Sequence, residues 1–459
     1  MATRNTNEKV FRKFEKEVLD KHHKTLALWR RDRRNARYAA LAQFDCNVIS
    51  TVLSPPDPSR IGQLQLLKNL EEGLSEAFRW LHDGSQQFNI KPTDDPNIIE
   101  EAGKFCQFAG KYVNIADFHK MYGRKQVDIE VDEVKKRVRF VIRNNIQSVG
   151  PMLGMAEQSH RLGNLPLVSD PSSQGDIGEK LFSLLRGIEY KYMSGHIALP
   201  DVSIANDENI KRQFELAIPQ EPLRLNDHED LGGFTVSEFD QFYNALRRWS
   251  FCCTFGFLLS IMELGKQQWE CAPTQCIERS EFYDSLRKLT GLPDSTLFSI
   301  VQRLSYDRRT GWPDLYQQPL FCGDKTISWS ASVVQNSRQL RNMLKLMSRT
   351  KELQNHAATL IGRREAPMLQ EISNLFSHKG KTENKLNTPI SKGKEKGEID
   401  ILVYNKQFPD EILIIEGKAL LGVDEINEVD AATKEMQKGQ NQLSKVKRIL
   451  SKMNIEEKS

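Results

Sequence analysis

The feature that most constrains this chain is a pair of strand-like segments near its carboxyl end, residues 397–404 and 411–420. In the first segment apolar and acidic residues alternate, which puts Asp400 on the face opposite to Ile399 and Ile401. The second segment begins with four consecutive aliphatic residues after its first glutamate, typical of a strand inside a sheet. A strand of that kind should carry charged side chains only where they have a chemical role.

The second segment nevertheless carries Glu416 and Lys418, whose spacing of two puts both on one face. Residues 405–410, which include a proline, predict a turn, and a hairpin would then bring Asp400 beside Glu416. Two neighbouring carboxylates repel each other, and a divalent cation such as Mg²⁺ or Mn²⁺ relieves that repulsion. Lys418 would orient or help to deprotonate a water and stabilise charge on a phosphate. The alternative is a surface salt bridge between Glu416 and Lys418, worth under about 1 kcal/mol, which leaves the apolar run unexplained.

Two helices flank these segments. Residues 366–376 predict the first helix, which holds Glu371, and residues 430–449 predict the second. Between the first helix and the strands, residues 377–396 are rich in lysine, glycine and polar residues. We interpret them as a loop that holds at most one short strand, near residues 386–390.

This order of Gly-Glu-Ile-Asp, a hairpin and Ile-Ile-Glu-Gly-Lys resembles the D…ExK signature of PD-(D/E)XK nucleases, in particular the Holliday-junction-resolvase and RecB-like branch. The resemblance covers residues 365–450 and implies an α/β nuclease domain that hydrolyses phosphodiester bonds with Mg²⁺ or Mn²⁺. Members of the family usually have one more strand after the second helix, and only residues 451–459 remain for it here.

The resemblance also implies roles for individual residues. Asp400, Glu416 and the main-chain carbonyl of Gly417 would hold the metal, and Lys418 would serve the attacking water. Many members add a glutamate from the preceding helix, for which Glu371 is the first choice and Glu365 the weaker one. RecB-like members also carry a glutamine on the following helix, where Gln442 fits best and Gln440 is its rival.

The length of 459 residues predicts several domains, and the fold class is multi-domain. We expect a mainly helical domain with a β-hairpin over residues 1–200, the hairpin lying near 127–142. A helical middle domain over 201–355 would contain a candidate winged helix at 278–331. The nuclease-like α/β domain would then take residues 356–459. For residues 1–230 the sequence indicates no function.

Basic residues of the middle region are candidates for nucleic-acid contacts. In the candidate winged helix, the second helix carries Arg303, where a nucleic-acid reader would place a cation; helical packing with an incidental hairpin is the alternative. A helix predicted from about residue 337 has an apolar stripe on one side and a basic stripe on the opposite side. The basic stripe would either bind the phosphates of a nucleic acid or simply be exposed to solvent. The basic stripe consists of Arg338, Arg341, Lys345 and Arg349.

Composition narrows the class of protein without fixing its function. The net charge of +4 permits a nucleic-acid partner but does not demand one. The first residues contain no apolar run of a signal peptide, and residues 251–264 are too few to span a membrane, so we expect a cytoplasmic protein without membrane contact. Seven cysteines without framework spacing indicate reduced thiols.

Together these observations predict a metal-dependent endonuclease, with DNA favoured through the family resemblance alone. The amino-terminal half would act as sensor, clamp or partner-binding module, and by analogy the protein would be a restriction or antiviral defence effector. A protein partner or a homo-oligomer is compatible with this organisation. The alternatives are a nucleic-acid-binding or scaffold protein with an inactive nuclease-like domain, and an RNA endonuclease.

Overall fold

A computed structural model of the chain describes residues 2–53, 60–82, 88–123, 127–132, 137–142, 183–193, 195–217, 225–267, 270–307, 314–377, 382–405, 412–418 and 426–452. The chain divides into two compact units. Unit 1 comprises Met1–Glu221 and Asp227–Asn342, and unit 2 comprises Pro222–Asn226 and Met343–Ser459. The multi-domain, mixed helical and sheet class is therefore confirmed.

Unit 1 is built mainly from helices. In chain order its main described helices are α1 (Ala2–Phe14), α2 (Arg33–Leu53), α3 (Arg60–Trp80), α4 (Pro96–Gly123), α5 (Glu208–Ala217), α6 (Val236–Met262), α7 (Arg279–Thr290), α8 (Asp294–Leu304) and α9 (Ala331–Asn336). Helix α10 (Gln339–Arg349) crosses the boundary into unit 2. The α6 helix is buried along most of its length, which explains the apolar stretch in its second half. No helix among the described residues is both long and apolar enough to cross a membrane.

The described residues of unit 1 also form three small sheets. Their strands are β1 (Val127–Asp132), β2 (Arg137–Ile142), β3 (Lys191–Met193), β4 (Gly195–Ala198), β5 (Cys271–Ala272), β6 (Gln275–Glu278), β7 (Phe321–Cys322) and β8 (Thr326–Trp329). The hairpin predicted near 127–142 is confirmed, because β1 pairs with β2 antiparallel. In the segment predicted as a winged helix, β6 precedes α7 and α8, the β7–β8 hairpin follows, and the strand order is β6-β8-β7.

A fully buried aspartate connects several of these elements. Asp45, on α2, accepts hydrogen bonds from the hydroxyls of Thr274 and Ser330 and from the backbone N–H of Ser332 at 2.8 Å. Ser330 is the N-cap of α9, so the carboxylate satisfies donors at the start of that helix. A buried carboxylate is tolerated only with such partners, and this one holds α2 to α9 and to the β5–β6 connection.

Unit 2 has the order α11 (Gln354–Arg363), α12 (Glu365–Ser377), β9 (Thr382–Lys392), β10 (Glu395–Asn405), β11 (Ile412–Ile415) and α13 (Ile426–Ser451). The three strands form an antiparallel sheet in the order β11-β10-β9. Side chains from one face of β10, Ile401 and Val403, form a buried core with Leu369 of α12. The alternation predicted for residues 397–404 is thus confirmed.

Two expectations for unit 2 were wrong. Residues 382–392, interpreted as a loop with at most one short strand, form an eleven-residue strand in which half-buried and exposed residues alternate, with Leu386 and Ile390 among the half-buried ones. The four-residue apolar run was predicted to lie inside a sheet. In the sheet of described strands β11 is an edge strand, and Ile412 and Leu413 are 47% and 46% exposed.

Candidate active site

The register of β10 and β11 brings the two predicted acids together. Ile401 pairs with Ile415 at the end of the ladder, and one further step puts Asp400 opposite Glu416. The backbone N–H of Gly417 donates to Asp400 Oδ2 over 2.9 Å, which fixes the aspartate at this end of the sheet. Directly opposed residues of an antiparallel pair have Cβ atoms about 5 Å apart, so the two carboxylates share one site.

Lys418 lies between two carboxylates of this site. Its Nζ atom is 2.7 Å from Glu416 Oε1 and 3.5 Å from Glu365 Oε1. The Glu416 side chain is only 3% exposed, whereas those of Lys418 and Glu365 are 20% and 35% exposed. The ammonium group of Lys418 therefore contacts a buried carboxylate, Glu416, on one side and a more exposed one, Glu365, on the other.

The electrostatics of the site show an excess of negative charge. Burial raises the pKa of Glu416; the hydrogen bond from Lys418 lowers it, but the charge of Asp400 raises it further. Burial alone would lower the pKa of Lys418, but the hydrogen bond and charge of Glu416, and then the charge of Glu365, raise it above its usual value. Three carboxylates and one ammonium group leave a formal charge of −2 in this cluster.

The donor set fits a hard divalent cation. Asp400 and Glu416 supply carboxylate oxygens. The main-chain carbonyl of Gly417, which was predicted as a further ligand, lies between Glu416 and Lys418 in the chain. Glu416 Oε1 is buried, with the ammonium group of Lys418 2.7 Å away. Within the described residues, no group of three or more His, Cys, Asp or Glu side chains is arranged to hold a metal. The fit therefore depends on the acid pair together with the carbonyl.

Gly417 is glycine because helix α12 passes close to it. A Cβ atom at Gly417 would lie 2.5 Å from Leu369 Cδ2 and 3.0 Å from Met368 Cε. Leu369 belongs to the core beneath the sheet, so it has little freedom to move. The glycine of the Glu-Gly-Lys sequence thus lets α12 approach the end of β11.

Of the two glutamates predicted on this helix, the weaker candidate is the one at the site. Glu365 lies on the side of α12 that carries Leu369 and Ile372, four and seven residues further on, and its carboxylate reaches Lys418. Glu371 is exposed and stands roughly 120° round the helix from Glu365. The sequence contained the signal, since Glu365 continues the apolar stripe of the helix and Glu371 does not.

The site has a neighbour on α13 that the sequence analysis missed. Gly439 is buried, and a Cβ atom there would lie 3.4 Å from Glu416 Cγ and 3.7 Å from Lys418 Cγ. A glycine inside a helix costs about 1 kcal/mol relative to alanine, which indicates a packing or functional reason for it. The predicted glutamine, Gln442, is exposed and roughly 60° round the helix from Gly439; its rival Gln440 is exposed and roughly 100° away.

Of the five basic residues of the middle region that were predicted to contact nucleic acid, only Arg349 is exposed. Arg303 is half-buried and donates to the carbonyl of Gly232 over 3.2 Å, and burial lowers its pKa. The basic stripe expected on α10 is not a continuous exposed surface, because Arg341 and Lys345 are only 1% and 7% exposed. The periodicity was correct, but the helix is buried on both its apolar and its basic side. Arg338 is half-buried and Arg349 is exposed.

No protein-family profile, curated protein or solved structure matches this chain. Its resemblance to PD-(D/E)XK nucleases rests on its own residues and stays a prediction.

Proposed function

We propose that unit 2 is a metal-dependent endonuclease domain that hydrolyses phosphodiester bonds of nucleic acid, with DNA as the favoured substrate. The observation that carries this proposal is the position of Asp400 opposite Glu416 at the end of two paired strands, with Lys418 bound to Glu416. A structural salt bridge would need one acid and one base. The cluster instead holds an excess of two negative charges.

The order of elements in unit 2 supports a PD-(D/E)XK fold for this domain. A helix, α12, precedes three antiparallel strands, and a second helix, α13, follows them. Asp400 is on the second of these strands, and Glu416 and Lys418 directly follow the third, an order that supports the resemblance to the D…ExK signature.

The chain's own side chains are suited to phosphodiester hydrolysis. Asp400 and Glu416, with the Gly417 carbonyl, would hold Mg²⁺ or Mn²⁺, which supplies an activated water and a Lewis acid for the phosphate. The surrounding carboxylates outweigh burial and raise the pKa of Lys418, so the lysine keeps its positive charge at neutral pH. That charge can orient a water and stabilise negative charge building on a phosphate oxygen. Glu365 holds the ammonium group from the accessible side.

The test is cleavage by the purified full chain in Mg²⁺ or Mn²⁺, with plasmid DNA and a matched RNA as substrates. Asp400→Asn and Lys418→Gln should each lower the rate by at least about 100-fold, as loss of a charge-stabilising group does. The control is Glu398→Gln, which removes an exposed carboxylate from the same face of β10, two residues before Asp400.

Glu398→Gln should cleave like the parent and bind Mn²⁺ with the same affinity, whereas Asp400→Asn should bind the ion at least about tenfold more weakly. Cleavage that survives both Asp400→Asn and Lys418→Gln would overturn the site assignment. Nucleic-acid binding with no metal-dependent cleavage would favour the alternative, an inactive nuclease-like domain. Cleavage of RNA alone would favour the RNA endonuclease.

The segment of unit 1 from β6 to β8 keeps its interpretation as a winged helix, supported by the order of its elements and by the strand order β6-β8-β7. Its second helix, however, faces solvent with Asp294, Phe298 and Gln302. Arg303 points to Gly232 instead. The nucleic-acid proposal therefore rests on unit 2.

A further inference from the structure

Helix α13 and the residue that follows it carry a row of exposed lysines that the proposed hydrolysis does not use. Lys434, Lys438, Lys445 and Lys452 are all exposed. At 100° per residue they fall within about 40° of one another round the helix. We call these four residues the lysine row. Over eighteen residues at 1.5 Å each, the row is roughly 27 Å long.

The row passes the candidate active site at Lys438 and ends at the β9–β10 hairpin. Gly439, next to Lys438 in the chain, packs against Glu416 and Lys418. At the far end, Lys452 Nζ is 3.0 Å from Glu395 Oε1, beside the turn between β9 and β10. Packing at both ends gives the helix a fixed direction relative to the site.

Two of the four lysines form ion pairs with described carboxylates. Lys438 pairs with Glu435 and Lys452 with Glu395. Among the side chains that the structure describes, Lys434 and Lys445 form no ion pair within 4 Å, although the charge of Lys445 acts on Glu395. The exposed cations therefore outnumber the carboxylates along this side of the helix, and the surface complements a polyanion.

The spacing within the row favours a duplex. Lys438, Lys445 and Lys452 follow one another at seven-residue intervals, roughly 10.5 Å along the axis. The major groove of DNA is about 12 Å wide between its backbone ridges, so lysines at this spacing can reach phosphates on both sides of a groove.

We propose that the lysine row binds the phosphate backbone of duplex DNA and positions it over the acid pair. This inference rests on the proposed nuclease function and names the surface that holds its substrate. Phosphate contacts of this kind fix position and orientation without reading sequence.

The experiment measures binding of a labelled DNA duplex to full-length Asp400→Asn chain in EDTA, at salt concentrations from about 50 to about 200 mM. In that background Lys434→Gln/Lys445→Gln is compared with Lys351→Gln/Lys447→Gln. The control pair removes the same charge from unit 2. Lys447 is exposed and lies about 180° from Lys438 round α13, and Lys351 is exposed outside the helix.

Each phosphate contact contributes about 0.9 to the slope of log affinity against log salt. The row variant should therefore lose about 1.8 from the slope. The ratio of the parent's DNA affinity to that of the row variant should therefore fall roughly twelvefold between the lowest and the highest salt concentration. The control pair should keep the parent slope.

Equal slopes for the row variant and the control pair would overturn the proposal, as would tighter binding of single-stranded DNA or RNA than of the duplex. Because EDTA removes the metal, binding is measured independently of hydrolysis. A chain that cuts DNA but shows no dependence on the row disproves this inference alone. A chain with a row-dependent slope that never cuts disproves the proposed function.

Discussion

Gly439 offers the sharpest test of how the candidate site is built, because the structure gives different expectations for two substitutions at one position. A Cβ atom there would lie 3.4–3.9 Å from Glu416 and Lys418, which is ordinary van der Waals contact. Gly439→Ala should therefore fit. It should stabilise α13 by about 0.5–1 kcal/mol, because alanine loses less backbone freedom than glycine on forming a helix.

A leucine at the same position has no room. The carbons beyond its Cβ must displace Glu416 or Lys418, and overpacking of this kind costs about 1–3 kcal/mol. A shift of about 1 Å in a reacting group can cost about 100-fold in rate. We therefore expect Gly439→Leu to lower kcat/KM for nucleic-acid cleavage by about 100-fold, while Gly439→Ala stays close to the parent.

Two assays check this expectation. Cleavage rates in Mg²⁺ give kcat/KM, and hydrogen exchange of α13 amides gives local stability, which is the better measure in a chain of two units. The controls are Gly362→Ala and Gly362→Leu on α11, where a Cβ atom would meet nothing within 4 Å. Both controls should leave cleavage unchanged. Full activity in Gly439→Leu would refute the packing of α13 against the acid pair.

Two further predictions concern the carboxylates around Lys418. Glu365→Gln should lower kcat roughly tenfold to 100-fold, as loss of a supporting partner at a metal site does. In the same cleavage assay Glu371→Gln should keep a kcat close to that of the parent. A larger loss in Glu371→Gln than in Glu365→Gln would make Glu371 the helix glutamate of the site. Glu416 has a folded-state pKa raised above its ordinary 4.5, so its contribution to stability is present below that value and is lost as pH rises through the folded pKa. In metal-free buffer the parent should therefore lose stability in unit 2 as pH rises above 4.5 and through the folded-state pKa of Glu416. In Glu416→Gln that loss, followed by hydrogen exchange of β10 amides, should be smaller, and an identical pH profile would contradict a raised pKa.

The sequence alone determined the local elements whose side chains repeat regularly. Alternation over residues 397–404 specified β10 and its buried face, and the spacing of Glu416 and Lys418 placed them together. The hairpin of β1 and β2 followed from the same kind of pattern. These features depend on the two-residue period of a strand, which is a property of the chain itself.

The tertiary structure decided which of several equivalent residues meet. The composition of residues 382–392 indicated at most a short strand near residues 386–390, because apolar residues are few along the segment and every second side chain faces solvent. The choice of Glu365 over Glu371 depends on the side of α12 that packs on Ile401 and Val403. The role of Gly439 depends on the closeness of α13 to Glu416.

The basic stripe of α10 shows that a correct helical period does not predict which side chains are exposed. Its period was read correctly, yet Arg341 and Lys345 are buried. Periodicity fixes the angle between two side chains on one helix. Burial depends on which other elements pack against that helix, and those contacts join residues far apart in the chain that no local pattern records.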